Sequence, residues 1–403
     1  MSQYRILEQF NLILIRYSEI WLKSQKVKIR MLKILMDNIK QMLIREGIPF
    51  HKYQLSKDSS RIYFFFNNSY LLNAIDVCMR VFGIHSISPA FRTSNNLKNI
   101  IERTLEIARN VLESGDTFAI KVKRSGKHEF SSLEVAKKVG KAVLDNFSDL
   151  NLKVNLSDPK KSIFIEVRQD FSYIFLDVIV SYWGGLPIEI NKKIMVMDVG
   201  RLNDLLAGFL LMRRGCEIYP ILFDNTNNKD FMHNWLENWQ EITKFVPFNN
   251  IPLKIVKLYE ILSQLKLNSR EKKYFCAICR LTRLALTSHY LKSSEDSFVP
   301  KIRAITDGIT LNNATLCHDH IDLESLSLNH LFSGYPIFTS LIGLDRELIN
   351  ELLNHISTRL KGFEYCYFKP QNQEIDVEEV LKLYQNLKID DIIKNNKSLY
   401  ENS

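Results

Sequence analysis

Within four residues the chain places Gly184, Gly185 and Pro187. Two glycines release the backbone from its usual φ range, and a proline removes a donor and restricts the residue before it, so no helix or strand runs through this point. The two sides of the break also read differently. Before it, Leu12–Ile15, 61–66 and 84–87 are strand-like, while 29–44 and 70–81 carry helical spacing and end at Gly47 and Gly83. That order fits a β-α-β-β-α-β sandwich with its helices on one sheet face and the other face left for a partner. A helix over 95–112, a strand over 118–122, a helix opened by the capping box Ser131-Ser132-Leu133-Glu134, and strands over 162–167 and 173–180 complete the first part. After the break, a strand over 194–197, a helix over 205–214 closed by Gly215, and a strand over 218–223 form a βαβ unit. With Ala304–Ile305 and helices over 280–291 and 347–360, it predicts an open, mostly parallel sheet with ligands at the carboxyl ends of its strands. One amphipathic segment, 377–387, lies in an otherwise polar tail.

At 403 residues the chain is long enough for two to four domains, and 46% hydrophobic against 25% charged residues excludes wholesale disorder. No apolar run reaches the roughly 18 residues a membrane-spanning helix needs, so a cytoplasmic location is expected. Six cysteines are too few for a disulfide framework in a chain of this length, and the Cys276-Ala277-Ile278-Cys279 pair points to redox or metal chemistry. Three of the other four, Cys78, Cys216 and Cys317, read as small apolar fillers. Lys and Arg total 54 against 45 Asp and Glu, a net charge of +9 that permits a nucleic-acid partner without requiring one. On the strand over 118–122, Lys121 and Lys123 alternate with Ile120 and Val122, which puts two ammonium groups on one sheet face with Arg124 and Lys127 just beyond. Lys23, Lys26, Lys28, Arg30 and Lys33 form a second basic stripe on a helix, equally readable as a solvated face.

Several blocks carry a more specific signal through their shared order. They are Ile13-Leu14-Ile15-Arg16-Tyr17-Ser18-Glu19-Ile20-Trp21-Leu22-Lys23, Phe82-Gly83-Ile84 through Ser88-Pro89, and Lys121-Val122-Lys123-Arg124. Asp158-Pro159, Glu166-Val167-Arg168, Gly184-Gly185-Leu186-Pro187 and Leu341-Ile342-Gly343-Leu344-Asp345 follow. Together they resemble the tRNA sulfurtransferases that make 4-thiouridine. The resemblance implies an α+β first half, with a ferredoxin-like domain over 1–70 and an RNA-binding THUMP domain over 71–183. It also implies an α/β, Rossmann-like PP-loop domain over 184–371 and a C-terminal tail over 372–403. tRNA is the implied partner, with Arg16, Lys23, Lys121, Lys123, Arg124, Lys127 and Arg168 as its contacts. Such contacts set position and salt dependence, so tRNA choice would rest on shape.

The resemblance stops at the nucleotide loop. Where the family reads Ser-Gly-Gly-x-Asp-Ser, small residues that close around pyrophosphate at a helix N-terminus, this chain reads Val199-Gly200-Arg201-Leu202-Asn203-Asp204. Gly200 remains, Arg201 offers a direct phosphate contact, and Asp204 reads as a helix cap. A polar loop, Asp224–Lys229, is expected to be floppy where the family encloses its nucleotide. The later block 307–313 keeps Gly308 and Leu311. ATP-dependent adenylation is therefore not the leading expectation. The cysteines follow the family more closely: Cys276, Cys279 and Cys366 would hold an iron–sulfur cluster whose open iron takes up delivered sulfur, or zinc with His289 or His318 as a further ligand. The leading reading is a tRNA-binding relative of the sulfurtransferases, acting in tRNA thiolation or a derived tRNA-binding role. It would work with a sulfur donor or a nucleotide-competent subunit, and a homodimer is compatible. An active ATP-dependent sulfurtransferase and a zinc-stabilised interaction protein are the alternatives.

Overall fold

The computed structural model describes residues 10–226, 228–293, 299–310, 332–362, 366–368, 376–395 and 400–402. The chain divides into two compact units, Met1–Pro187 and Ile188–Ser403, at the glycine–proline break. Gly184 and Gly185 both take positive φ, +53° and +77°, and the Gly184 carbonyl accepts a hydrogen bond from the Gly83 N–H at 2.7 Å. The break is thus a turn pinned to the end of the earlier helix region rather than a loose linker.

The first unit is built on a single nine-stranded sheet ordered β2-β3-β1-β4-β8-β7-β5-β6, with β9 also on β4. The strands are β1 Leu12–Arg16, β2 Lys52–Leu55, β3 Ile62–Phe65, β4 Ser86–Ser94, β5 Thr117–Arg124, β6 Lys153–Val154, β7 Lys161–Val167, β8 Phe171–Phe175 and β9 Ile179–Val180. Among the described residues the unit has four α-helices, α1 Gln25–Arg45, α2 Leu71–Met79, α3 Leu97–Val111 and α4 Ser132–Asn146. The expected β-α-β-β-α-β order is present, and the strand to which no residues were assigned from sequence is β2, whose half-exposed Lys-Tyr-Gln-Leu has no apolar alternation to announce it. The strand expected over 173–180 is two strands, β8 and β9, each pairing with β4. The capping box forms: Ser131 Oγ accepts from the Glu134 N–H at 3.1 Å and Glu134 Oε2 from the Ser131 N–H at 2.7 Å.

Strand alternation sorts the sheet into two faces. Ile13, Ile15, Phe64, Ile87, Ile120, Ile163, Ile165 and Ile174 point to the face that all four helices cover, in one continuous core. The opposite face carries Leu12, Leu14, Tyr63, Phe65, Ala90, Tyr173 and Phe175, a separate aromatic cluster. The paired registers Leu14↔Ser88, Arg92↔Tyr173, Glu166↔Tyr173 and Lys123↔Glu166 extend this second face across the whole sheet.

The second unit holds a six-stranded sheet ordered β14-β13-β10-β11-β12-β15, parallel except for β15. Its strands are β10 Glu189–Asp198, β11 Cys216–Phe223, β12 Lys254–Val256, β13 Ile302–Thr306, β14 Ile337–Phe338 and β15 Tyr400–Asn402. Its helices are α5 Leu202–Arg213, α6 Lys229–Thr243, α7 Leu258–Leu262, α8 Phe275–Ser293, α9 Arg346–Ile356, α10 Val377–Asn386 and α11 Ile389–Asn395. The segment expected as a tail belongs to this unit. Val380, Leu383, Tyr384, Ile389 and Ile393 are buried in its core, and β15 pairs with β12. The loop expected to be floppy is also organised on both sides of residue 227. Asp224 Oδ1 accepts from the Thr226 N–H at 2.9 Å, and Asn228 Oδ1 caps α6 by accepting from the Asp230 and Phe231 N–H groups.

Candidate functional site

Glu166 is the centre of the first unit's second face. It is 3% exposed and receives three guanidiniums, two of them from distant parts of the chain. Arg16 at the end of β1 donates Nη2 to Oε1 at 2.9 Å, Arg61 before β3 donates Nε to Oε2 at 3.1 Å, and Arg168 beyond β7 donates Nε to Oε2 at 3.2 Å. Burial alone would raise the Glu166 pKa, but Arg61, Arg16 and Arg168 outweigh it and hold the carboxyl at about 2. Arg16 also donates Nη1 to Ser88 Oγ at 2.9 Å and lies over the Phe175 ring. Arg168 reaches on to Asp58 Oδ2 at 3.2 Å and Ser60 Oγ at 3.0 Å. Although burial works to raise it, the Asp58 carboxyl is driven well below the ordinary range by hydroxyl and backbone donors from Ser56, Ser60 and Ser125.

Around this hub the same face is cationic. Arg92 lies over Phe65 and Phe171 at 4.8 and 4.4 Å, Lys52 over Phe65 at 4.8 Å, and Lys121 over Phe164 at 5.4 Å. Lys121, Lys123, Arg124 and Lys127 are exposed, as is Lys23. Of the candidate RNA contacts, then, five are exposed cations, while Arg16 and Arg168 are engaged by Glu166 behind them. Within the helical basic stripe, Lys28 is buried, its Nζ 3.6 Å from the Trp21 ring centroid, so it does not share the exposure of Lys26, Arg30 and Lys33. Glu166 was named from sequence only as part of a resemblance block, not as a site residue, and Arg61 was not named as one either. Arg61 and Arg16 lie 105 and 150 residues from Glu166, and only the strand registers bring them to it.

In the second unit, the loop from β10 into α5 is closed on itself. Asp204 is fully buried, with Oδ1 accepting from Arg201 Nη2 at 2.6 Å and from the Gly308 N–H at 2.8 Å, and Oδ2 from Arg201 Nε at 3.0 Å and the Val199 N–H at 3.2 Å. It is therefore a bridge between β10, α5 and the end of β13, not the helix cap its position suggested; the capping position is Arg201. Asp198, also fully buried, accepts from the Gly200 N–H at 2.8 Å and from the indole N–H groups of Trp235 and Trp239 at 3.0 and 2.7 Å. Burial and the neighbouring Asp204 push its pKa up to about 8, against those donors. The Phe231 ring covers Gly200, where a Cβ would stand 2.5 Å from Cζ, and Gly308 lies so close to α5 that a Cβ would meet the Asn203 carbonyl carbon at 2.3 Å. Phe231, Trp235 and Trp239 were missed as site residues, although their i, i+4, i+8 spacing is a helical aromatic stripe legible in the sequence. Leu311, Asn312, Asn313, Cys317 and His318 lie outside the described residues.

Cys276 and Cys279 sit in the first turn of α8, half-buried, with Cys279 against the core. Phe368, two residues past Cys366, stacks on Phe275 at 5.4 Å, so the two segments are neighbours. Yet among the described residues no three His, Cys, Asp or Glu side chains form a group able to hold a metal, and Cys276, Cys279 and Cys366 are not assembled as one. His289 lies further along α8, its Nδ1 3.4 Å from Tyr400 Oη. No helix among the described residues is long and apolar enough to cross a membrane.

Three family models match the chain: the ThiI ferredoxin-like domain over 12–88, the THUMP domain over 94–177, and Thiamine biosynthesis protein (ThiI) over 192–389. Among curated relatives, "Probable tRNA sulfurtransferase" of Saccharolobus islandicus strain M.16.27 is 30% identical over 389 residues, spanning 94% of this chain and 96% of the relative. The protein of the same name in Thermococcus kodakarensis is 29% identical, spanning 87% and 88%. That of Methanosarcina acetivorans is 34% identical over 220 residues, spanning 54% and 52%. Two solved structures share the fold. One, a 4-thiouridine synthetase–RNA complex with bound ATP, has a TM-score of 0.80 at 20% identity and covers 98% of this chain and 99% of its own. The other, PH1313 from Pyrococcus horikoshii Ot3, has a TM-score of 0.64 at 24% identity, covering 86% and 99%. The order of domains, the strand–loop–helix of the second unit and the likeness to the Saccharolobus islandicus relative over 94% of this chain agree, and the chain belongs to the ThiI family of tRNA sulfurtransferases.

Proposed function

We propose that the chain binds tRNA through its first unit and acts in tRNA thiolation, the chemistry of 4-thiouridine. The observation that carries this reading is the register-aligned cationic face, on which exposed Lys121 and Lys123 share a sheet surface with the arginine cluster around Glu166. Phosphates approaching that face would meet ammonium groups first and find the guanidiniums already oriented behind them. Recognition of this kind is by shape and charge, so affinity falls as salt rises. The family likeness supports tRNA as the RNA, and the cytoplasm is the compartment consistent with such a partner. Sulfur would come from a separate donor.

An iron–sulfur cluster, or zinc, at Cys276, Cys279 and Cys366 is a further part of this reading. Its support is the cysteine spacing and the neighbouring segments, against thiols that are not gathered into a metal-binding group. Anaerobic purification with iron, sulfide and zinc analysis of the wild type and Cys276→Ser decides it.

The experiment for RNA binding is a titration of unmodified tRNA at increasing salt. Steep salt dependence is expected, and Lys121→Ala/Lys123→Ala should flatten the log–log slope by about 1 to 2. A flat wild-type slope sinks the proposal in favour of a protein-interaction role. Thionucleoside content of tRNA from cells lacking the gene tests thiolation directly.

A further inference from the structure

Two of the residues that depart from the family's Ser-Gly-Gly-x-Asp-Ser loop depart together. Arg201 stands where the second glycine would be and Asp204 where the last serine would be, and the two side chains pair with each other through both guanidinium edge nitrogens. The pair is buried, and Asp204 adds the Val199 and Gly308 N–H groups to its partners. On the adjacent side, Asp198 takes the Gly200 N–H, and the Phe231 ring covers the glycine itself. Backbone donors of the kind that hold pyrophosphate at such a turn are here spent on two carboxylates of the chain.

We propose that Asp204, clamped by Arg201, is a built-in replacement for a nucleotide phosphate, so that the loop of the second unit takes no ATP and its phosphate cradle is latent. An incoming triphosphate would have to strip a buried carboxylate of its guanidinium and two backbone donors, then sit against both Asp204 and Asp198. The charged Asp204 repels a phosphate, and Asp198, which burial and Asp204 hold towards its protonated form, still occupies the Gly200 N–H, so entry is disfavoured by charge and by the loss of donors. The structure accordingly does not fit the nucleotide that the family's loop is built for. This inference concerns the loop alone and is independent of tRNA binding by the first unit, whose test is the salt titration.

Calorimetry on the full chain with Mg-ATP, and separately with inorganic pyrophosphate, tests it. The wild type should show no saturable binding of either up to millimolar concentration. Arg201→Gly/Asp204→Ser, which restores small residues at both positions, should bind pyrophosphate at least about tenfold more tightly than the wild type, a difference of about 1.4 kcal/mol. Micromolar Mg-ATP binding by the wild type, displaced by pyrophosphate, would overturn the proposal. So would a double variant that keeps its circular dichroism and melting profile yet gains nothing. Should the double variant unfold, Asp204→Ala is read in its place, since it removes the carboxylate that Arg201 and both N–H groups hold; a folded Asp204→Ala with no gain also overturns it.

Discussion

A single carboxylate with three arginines has a predictable response to pH. The folded-state pKa of Glu166, about 2, is below the ordinary carboxylate range, so its stabilisation is complete above about pH 4.5 and is lost as pH falls towards 2. Two to three pKa units correspond to roughly 3 kcal/mol at neutral pH. Glu166→Gln should therefore lower the urea midpoint of the first unit at pH 7 and remove the Glu166 share of its dependence on pH between 4.5 and 2, leaving that of the likewise depressed Asp58. Asp198 has the opposite sign: raised to about 8, it favours the fold fully at low pH and progressively less as pH climbs from the ordinary carboxylate range through 8. Gly308→Ala should destabilise the second unit by at least about 2–3 kcal/mol, because the new methyl meets Asn203 and Asp204 backbone that cannot swing away. Chemical denaturation checks both glycine and carboxylate predictions. At this scale the sequence was partly legible. Alternation alone put Lys121 and Lys123 outward, whereas the partners of Arg16 and the burial of Lys28 depended on side chains no local pattern connects.

Among the elements, α6 carries the loop. Its stripe of Phe231, Trp235 and Trp239 reaches Gly200 and Asp198, and Trp239 is 1% exposed. Trp239→Ala should cost about 3–5 kcal/mol, whereas Trp239→Phe should retain most of the packing and lose chiefly the indole hydrogen bond to Asp198. A thermal melt of the two variants separates the ring from its N–H. Long periodic elements such as α1 and α3 and strands with clear alternation such as β5 were readable because their own residues specify them. The short strands β2, β12 and β15 were not, since three or four residues hold too little pattern and their pairing partners decide them. Polar residues at 224–229 looked disordering, yet Asp and Asn in such positions also make turns and caps, and here that is what Asp224 and Asn228 do.

For the whole molecule, each unit has its own core: one runs from Phe10 to Leu186, the other from Met195 to Ile393. A fragment of residues 1–187 should consequently fold by itself and retain most of the tRNA affinity of the intact chain. Failure of that fragment to bind tRNA while folded, by circular dichroism and gel shift, would place recognition elsewhere. The division was visible in advance from Gly184, Gly185 and Pro187, because backbone punctuation is local. Assigning the last thirty or so residues to the second unit was not, since it depends on β15 reaching an edge strand laid down about 145 residues earlier.

The Arg201–Asp204 pair also bears on how such a loop can arise. An arginine arriving alone would bury a cation without this carboxylate, and an aspartate arriving alone would bury a carboxylate without this guanidinium, so each intermediate costs more than the pair. Sequence change across this pair is a valley rather than a slope. A lineage that crossed it would find reversal by single steps closed, which makes the altered loop a one-way commitment.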